Sequence, residues 1–159
     1  RSLVEDEMLG EARDIMLETT RSGVPVVLPL DALVARAVKA GVQPSVVQVT
    51  GVPSDSSIVD IGPRTIEHFF GRLEACRTIM WNGPMGVYEI PQFSLGTRCL
   101  INYLATLRAV TVIGGGSSVD AVQDMGLSEL VTHVSTGGGA TLELLEKGTL
   151  PGVEALNDA

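Results

Sequence analysis

The hydrophobic positions along this chain switch between a helical and an extended period, which predicts helices and strands in turn. Leu3, Val4, Met8, Ala12, Ile15 and Met16 recur at helical spacing. They predict an amphipathic helix over Leu3 to Thr20, with Ser2 as N-cap and acids crowding its first turn. Arg21-Ser22-Gly23 ends it, and the apolar run Val24 to Leu30 predicts a short strand buried on both faces. A helix from Asp31 to Ala40, a strand at Val46 to Val49, a loop over Thr50 to Ser57 and a brief extended piece at Ile58 to Ile61 follow. Gly62-Pro63 opens a helix with Ile66, Phe69, Phe70 and Leu73 facing inward. Strand Thr78–Trp81, helix Leu95–Leu107, strand Ala109–Ile113, helix Ser118–Met125, strand Leu130–Val134 and helix Ala140–Glu146 complete the series, and the tail Leu150–Ala159 reads as loop.

Strand–glycine–helix units in series predict an α/β fold, a mainly parallel sheet with helices on both faces. No internal repeat or linker divides the chain, so residues 1–159 read as a single domain. In such sheets ligands bind beyond the carboxyl ends of the strands, where every glycine-rich turn of this sequence falls.

Composition narrows the partners. The chain is 45% hydrophobic and 19% charged over 159 residues, the profile of one globular domain with a core of its own. Eleven Lys and Arg against nineteen Asp and Glu leave a net charge of −8, which lacks the basic footprint that nucleic acid or an anionic membrane demands. No apolar run approaches a membrane span, and no signal peptide is visible. Cys76 and Cys99 are too few for a disulfide framework; both predict buried, reduced thiols in an intracellular compartment. Arg1 in place of an initiator Met suggests that something longer has been cut. The five methionines fall at core-like positions, and His68 and His133 lack an evident acid–base partner and read as structural.

Three turns can carry chemistry. In Trp81 to Glu89, WNGPMGVYE, Gly83 and Gly86 permit sharp turns, Pro84 stiffens the loop, Asn82 both donates and accepts, and Glu89 offers a carboxylate for two ribose hydroxyls. The plain alternative is a turn with a solvated acid. In Val112 to Ser118, VIGGGSS, a strand ends in three glycines before a helix, exposing peptide N–H groups at a positive helix end with Ser117 and Ser118 beside them. An N-cap serine after a tight turn explains the same letters. In Ser135 to Glu146, STGGGATLELLE, the amides of Gly137, Gly138 and Gly139 and the Thr136 hydroxyl are placed to meet a phosphoryl group, and the alternative is a flexible loop. Neither glycine run fits GxxxxGK[ST] or G-x-G-x-x-G.

The segments SLVEDE, LPLD, DIGP, MWNGPMGVYE, Phe93-x-x-Gly96-Thr97, VIGGGSS, VTHVSTGGGATLELLE and LPGVEAL resemble, in order and rough spacing, the C-terminal half of phosphoglycerate kinases. The resemblance implies a Rossmann-like, three-layer nucleotide domain, incomplete relative to the family's own. It implies Mg²⁺-ATP or Mg²⁺-ADP as cofactor and phosphoryl transfer between ATP and 3-phosphoglycerate in the intact enzyme. Carried over by position, Asn82, Pro84, Gly86, Val87 and Glu89 would line the adenosine pocket. Gly115, Gly116, Ser117 and Ser118 would lie along the phosphates, Ser135 to Gly139 would meet the transferred group, and Gly62-Pro63 would shape the wall opposite the base.

Departures accompany the match. Ser117 stands where the family has a metal-holding aspartate, so no metal ligand is assigned; a hydroxyl is a poorer ligand for a hard dication than a carboxylate. Ile58-Val59 replace Gly-Leu, Ala35-Arg36-Ala37-Val38 replace Ala-Asp-Lys-Phe, and Asp55-Ser56-Ser57 replace a Gly-Trp-Met segment. The family's N-terminal half and the start of its nucleotide domain have no counterpart, so core strands would come from a preceding segment or another chain. Two readings follow: the nucleotide-binding part of a phosphoglycerate kinase, inactive alone, in cytoplasm or plastid stroma; or a degenerate, non-catalytic module that binds a partner or supports a larger assembly.

Overall fold

In the computed structural model, which describes residues 2, 4–135 and 137–157, the segment Asp31–Ala35 is a central strand and not the expected helix. This strand, β1, pairs antiparallel with β2 (Ser45–Gln48) on one side and with β3 (Ser57–Ile61) on the other, and all five of its residues are buried. Its alanines favour helix, but two flanking strands override a weak local propensity. The run Val24–Leu30 forms no strand. Pro25 and Pro29 remove two peptide donors from it, which bars a central place in a sheet. Val24 and Leu28 are exposed there.

The second sheet holds β4 (Thr78–Asn82), β5 (Val110–Gly114) and β6 (His133–Val134), all parallel, in the order β4-β5-β6. Helix α1 spans Leu9–Ser22 and α2 spans Pro63–Leu73; α3 (Leu95–Leu104) links β4 to β5, and α4 (Gly116–Asp124) links β5 to β6. Helices α5 (Gly138–Lys147) and α6 (Pro151–Asn157) follow, so residues 151–157 are helical where the sequence predicts a loop. The fold is α/β as the alternation predicts; the antiparallel sheet is the part that the pattern did not reveal.

The buried residues among those described lie between Asp31 and Val131. Ile66, Ile79, Trp81, Leu100, Ile101, Leu104, Ile113 and Val122 form the main core, closed at one side by Phe70 stacked on Tyr103 at 4.0 Å between ring centroids. Leu33, Ala35, Val59 and Phe93 form a smaller one under the antiparallel sheet. Helix α1 has no buried residue, and Leu9, Ile15 and Leu17 are at least half exposed. Ser2 does not cap it. The Ser2 hydroxyl accepts a hydrogen bond from the Ile58 N–H at 2.9 Å, while a 3-10 turn, Asp6–Met8, precedes α1. Met8 and Met16 are exposed, as is Cys76, and Cys99 is only half-buried, so the expected burial of thiols and methionines fails at these positions.

The accessible surface is 10315 Å². A compact monomer of this mass exposes roughly 7,600 Å² by the usual scaling. Exposed apolar side chains occur on α1, the 24–30 run, α5 and α6, and an apolar groove of about 280 Å³ beside β4 is lined by Val27, Phe69, Ile79, Trp81, Leu100 and Leu104. No helix among the described residues is long and apolar enough to cross a membrane.

Two buried carboxylates join the halves. Asp31 of β1 sits at the start of α2, where its Oδ1 accepts the Thr65 N–H at 2.8 Å and its Oδ2 accepts the Arg64 N–H at 3.2 Å. Burial opposes the charge, but the Thr65 and Arg64 hydrogen bonds, with the Arg64 charge, hold Asp31 below the usual carboxylate value. A Cβ on Gly62 would lie 2.2 Å from Asp31 Cγ. Gly62→Ala is therefore expected to destabilise the chain by about 3 kcal/mol in urea unfolding. Gly71→Ala, on a part of α2 where a Cβ meets nothing within 4 Å, is expected to stabilise it by about 0.5–1 kcal/mol.

Candidate functional site

Parallel strands in register end together, and here their ends bring three turns to one place. Asn82 closes β4 opposite Gly114, which closes β5, and β6 ends with Val134 opposite Ile113. A Cβ on Gly138 would lie 2.5 Å from both the Cα and the N of Gly115 and 3.3 Å from Asn82 Oδ1. A Cβ on Gly115 would lie 2.5 Å from the same Asn82 oxygen, and Gly115 has a positive φ of 85°. Only glycine permits this approach of backbone to backbone. Asn82, Gly83, Gly115 and Gly138 are thus in contact.

The first turn is pinned from three sides. The Trp81 indole N–H donates to the Gly83 carbonyl, the Thr97 hydroxyl donates to the Met85 carbonyl, and the Val87 N–H donates to the Val59 carbonyl at 2.9 Å. Pro84 is half-buried within it. Gly86, with φ 67°, fits between β3 and the 3-10 turn Pro91–Phe93; a Cβ there would lie 2.5 Å from the Val59 carbonyl and 2.7 Å from Asp60 Oδ1. Val87 is consequently packed on the smaller core.

Glu89 lies apart from the glycine bends. It is exposed and lines a polar cleft of about 320 Å³ with Tyr88, Ser94, Thr97, Arg98 and Asp124, between α3 and α4. Burial, then the Asp120, Glu89 and Asp124 carboxylates, push the Tyr88 hydroxyl up from its ordinary value.

In the second turn, no side chain caps the first turn of α4. Gly116 and Ser117 are exposed, whereas Ser118 is fully buried and its Oγ has no hydrogen-bond partner among the described residues. Such a hydroxyl is a polar group left unsatisfied in the first turn of a nine-residue helix. Ser117 presents a hydroxyl, and no group of three or more His, Cys, Asp or Glu that could hold a metal occurs among the described residues. The described residues therefore build no metal cage of their own.

In the third turn, Ser135 N–H donates to the Ile113 carbonyl at 2.7 Å and the Ser135 and Thr141 hydroxyls are 2.9 Å apart, which fastens the entry to α5. Gly137 is its N-cap, and a Cβ on Gly139 would meet nothing within 4 Å, so that peptide faces open space. Thr136 lies outside the described residues.

One residue at the site escaped sequence reasoning. Asp60, inside DIGP, is 1% exposed; its Oδ1 accepts the Ile61 N–H and its Oδ2 the Gly96 N–H, both at 2.8 Å, the latter at the start of α3. The signal was available, since a lone carboxylate in an apolar strand run must find donors. Burial raises its pKa from 3.8 to about 6, against the hydrogen bonds from Gly96, Ile61 and Leu95 that lower it. Its neighbour Cys99 is pushed up by burial and then by the Asp60 charge, with Arg98 acting the other way.

With this geometry in hand, comparison with known proteins is decisive. A sequence model of the family described as phosphoglycerate kinase matches residues 1–148. The chain belongs to the phosphoglycerate kinase family. It is 47% identical over 161 residues to the phosphoglycerate kinase of Chloroflexus aggregans and 50% identical over 157 residues to one from Thermus thermophilus. These alignments cover 99% and 98% of this chain but 40% of each relative. The solved structure of the Coxiella burnetii phosphoglycerate kinase superposes with a TM-score of 0.92 at 36% identity, covering 99% of this chain and 40% of that one. The Pyrococcus horikoshii enzyme gives 0.71 at 29% identity, covering 92% and 38%. The chain thus spans about 40% of the length of the relatives it matches.

The raised pKa of Asp60 carries a sign. Between pH 3.8 and about 6 the folded chain holds a proton that the unfolded chain has released, so this group's contribution makes stability fall as pH rises through that window and level off above it. Asp31, shifted the other way, acts below pH 3.8. Thermal midpoints by calorimetry are expected to decline from pH 4 to 6 in the wild type, and Asp60→Asn is expected to flatten the decline.

Proposed function

We propose that this chain is the nucleotide-binding part of a phosphoglycerate kinase-like protein whose intact form moves a phosphoryl group between ATP and 3-phosphoglycerate. The observation that carries the reading is the meeting of the 114–116 and 137–139 bends over Asn82, beside the unpartnered Ser118 hydroxyl. Peptide N–H groups at two helix starts converge there, and such fixed dipoles favour the negative charge of a polyphosphate. Phosphoryl transfer needs positioning and charge stabilisation more than covalent chemistry from the protein.

Each turn has a part in this reading. Gly115, Gly116, Ser117 and Ser118 bind the phosphates, and the amides of Gly137, Gly138 and Gly139 act on the transferred group, a role that the sequence pattern assigns to Thr136 as well. Asn82, Pro84, Gly86 and Val87 hold the adenosine, with Glu89 on the ribose. Mg²⁺, when bound with the nucleotide, neutralises phosphate charge; Ser117 offers it a hydroxyl only. Acceptance of the phosphoryl group by 3-phosphoglycerate belongs to the remainder of the protein. The larger share of the relatives' length, which has no counterpart here, and the uncovered groove beside β4 support a second part lying against that face. The residues 1–159 act as one domain in this reading.

The second reading, a non-catalytic module that retains the fold for partner binding, is favoured by the Ser117 hydroxyl at the position of the family's carboxylate, by Ile58 beside the base position and by the part of the relatives without a counterpart here. Calorimetry separates the two. Binding of Mg²⁺-ADP, tightened by Ser117→Asp, supports the enzymatic reading; no heat at millimolar Mg²⁺-ADP sinks it. Ser118→Ala is expected to leave thermal stability unchanged or higher, because it removes an unsatisfied buried group, and to weaken pyrophosphate binding about tenfold.

A further inference from the structure

The turn that carries the adenosine side of the site has no rigid element of its own. Gly83 and Gly86 adopt left-handed φ, Asn82 and Gly86 are exposed, and the stretch from Gly83 to Ile90 is neither helix nor strand. What gives it a fixed shape is the ground it rests on. Gly86 lies directly over the Asp60 carboxylate, close enough that a Cβ would reach 2.7 Å from Oδ1. Gly96 approaches from α3, where a Cβ would reach 2.6 Å from the same oxygen. The carboxylate fills a slot between two glycine backbones and accepts peptide N–H groups from Ile61 and Gly96 at 2.8 Å.

A buried carboxylate is an expensive choice for stability alone, since an apolar or neutral group of similar size avoids taking a charge out of water. It has one property they lack: two acceptor oxygens with no donor hydrogen between them. Asparagine would turn an NH₂ group toward one of the two peptide donors, and alanine would leave both unpaired. Either change lets the start of α3 and the Gly86 backbone drift away from β3, loosening the Val87–Val59 hydrogen bond beside it. The 114–116 and 137–139 bends rest on each other and on Asn82 and take no support from Asp60, so they keep their arrangement.

We propose that Asp60 is a positioning residue that holds the Gly86-to-Glu89 wall in register with β3 and α3 and thereby sets affinity for the base and ribose but not for the phosphates. The inference rests on the nucleotide reading given above.

The test uses two probes that each engage one side of the site. Adenosine reports on the wall, and pyrophosphate reports on the glycine bends. In calorimetry on the 159-residue chain, Asp60→Asn and Asp60→Ala are expected to weaken adenosine about tenfold or more and to change pyrophosphate affinity by less than about twofold. An equal loss for both probes would mark Asp60 as a general structural support and overturn the proposal, as would adenosine affinity equal to wild type in a folded variant. Wild type that binds pyrophosphate without adenosine overturns the proposal but leaves the phosphate site standing. Wild type that binds neither overturns the nucleotide reading itself. Should far-UV circular dichroism show both variants unfolded, the wild type decides: the ¹³C carboxylate resonance of Asp60 is expected to shift on adding adenosine and not on adding pyrophosphate, and an unmoved resonance overturns the proposal.

Discussion

Buried charge at helix starts holds the two sheets in one body. Among the described residues the antiparallel sheet shares no strand pairing with the parallel one, and its own core is small. It is joined by Asp31 reaching from β1 to the first turn of α2 and by Asp60 reaching from β3 to the first turn of α3. Each carboxylate meets unpaired peptide N–H groups at the positive end of a helix, which is where a buried anion is least unfavourable. The glycines beside them follow from this arrangement: Gly62 against Asp31, and Gly86 and Gly96 against Asp60, stand where any side chain would collide with a carboxylate.

The same economy of space governs the strand ends. Gly138 on Gly115, with Asn82 against both, brings three loops nearer than side chains permit. That closeness leaves peptide N–H groups as the chemistry available, and the orphaned Ser118 hydroxyl adds a neutral group beside them. The acidic side chains collect elsewhere, with Glu89 and Asp124 in the α3–α4 cleft.

Most helices and strands between residues 57 and 150 were legible because glycine or proline punctuates several of them, as Gly62-Pro63 starts α2 and Gly115 precedes α4, whereas the helix at 151–157 was read as loop. Before residue 57 local rules found α1 and β2 but misled between them. Asp31–Ala35 carries helix-forming alanines yet serves as a central strand, because β2 and β3 both pair with it across more than ten residues of sequence. Val24–Leu30 is apolar enough for a strand but lacks two donors at its prolines. The apolar face of α1 was correctly read as apolar, and its exposure is a property of what lies against it, which no periodicity states.

The sequence by itself determined the family, the α/β alternation in the second half of the chain, and the glycine bends, since these are written in contiguous motifs whose letters have few other uses. Only the tertiary structure decided that the bends touch, that Glu89 turns toward α3 and α4, that Ser118 is left without a partner, and that Asp60 underlies Gly86. The division has a physical cause. Motifs encode backbone freedom residue by residue, whereas contact, burial and unpaired polarity belong to pairs of residues that are distant in the chain and become neighbours only when the strands align.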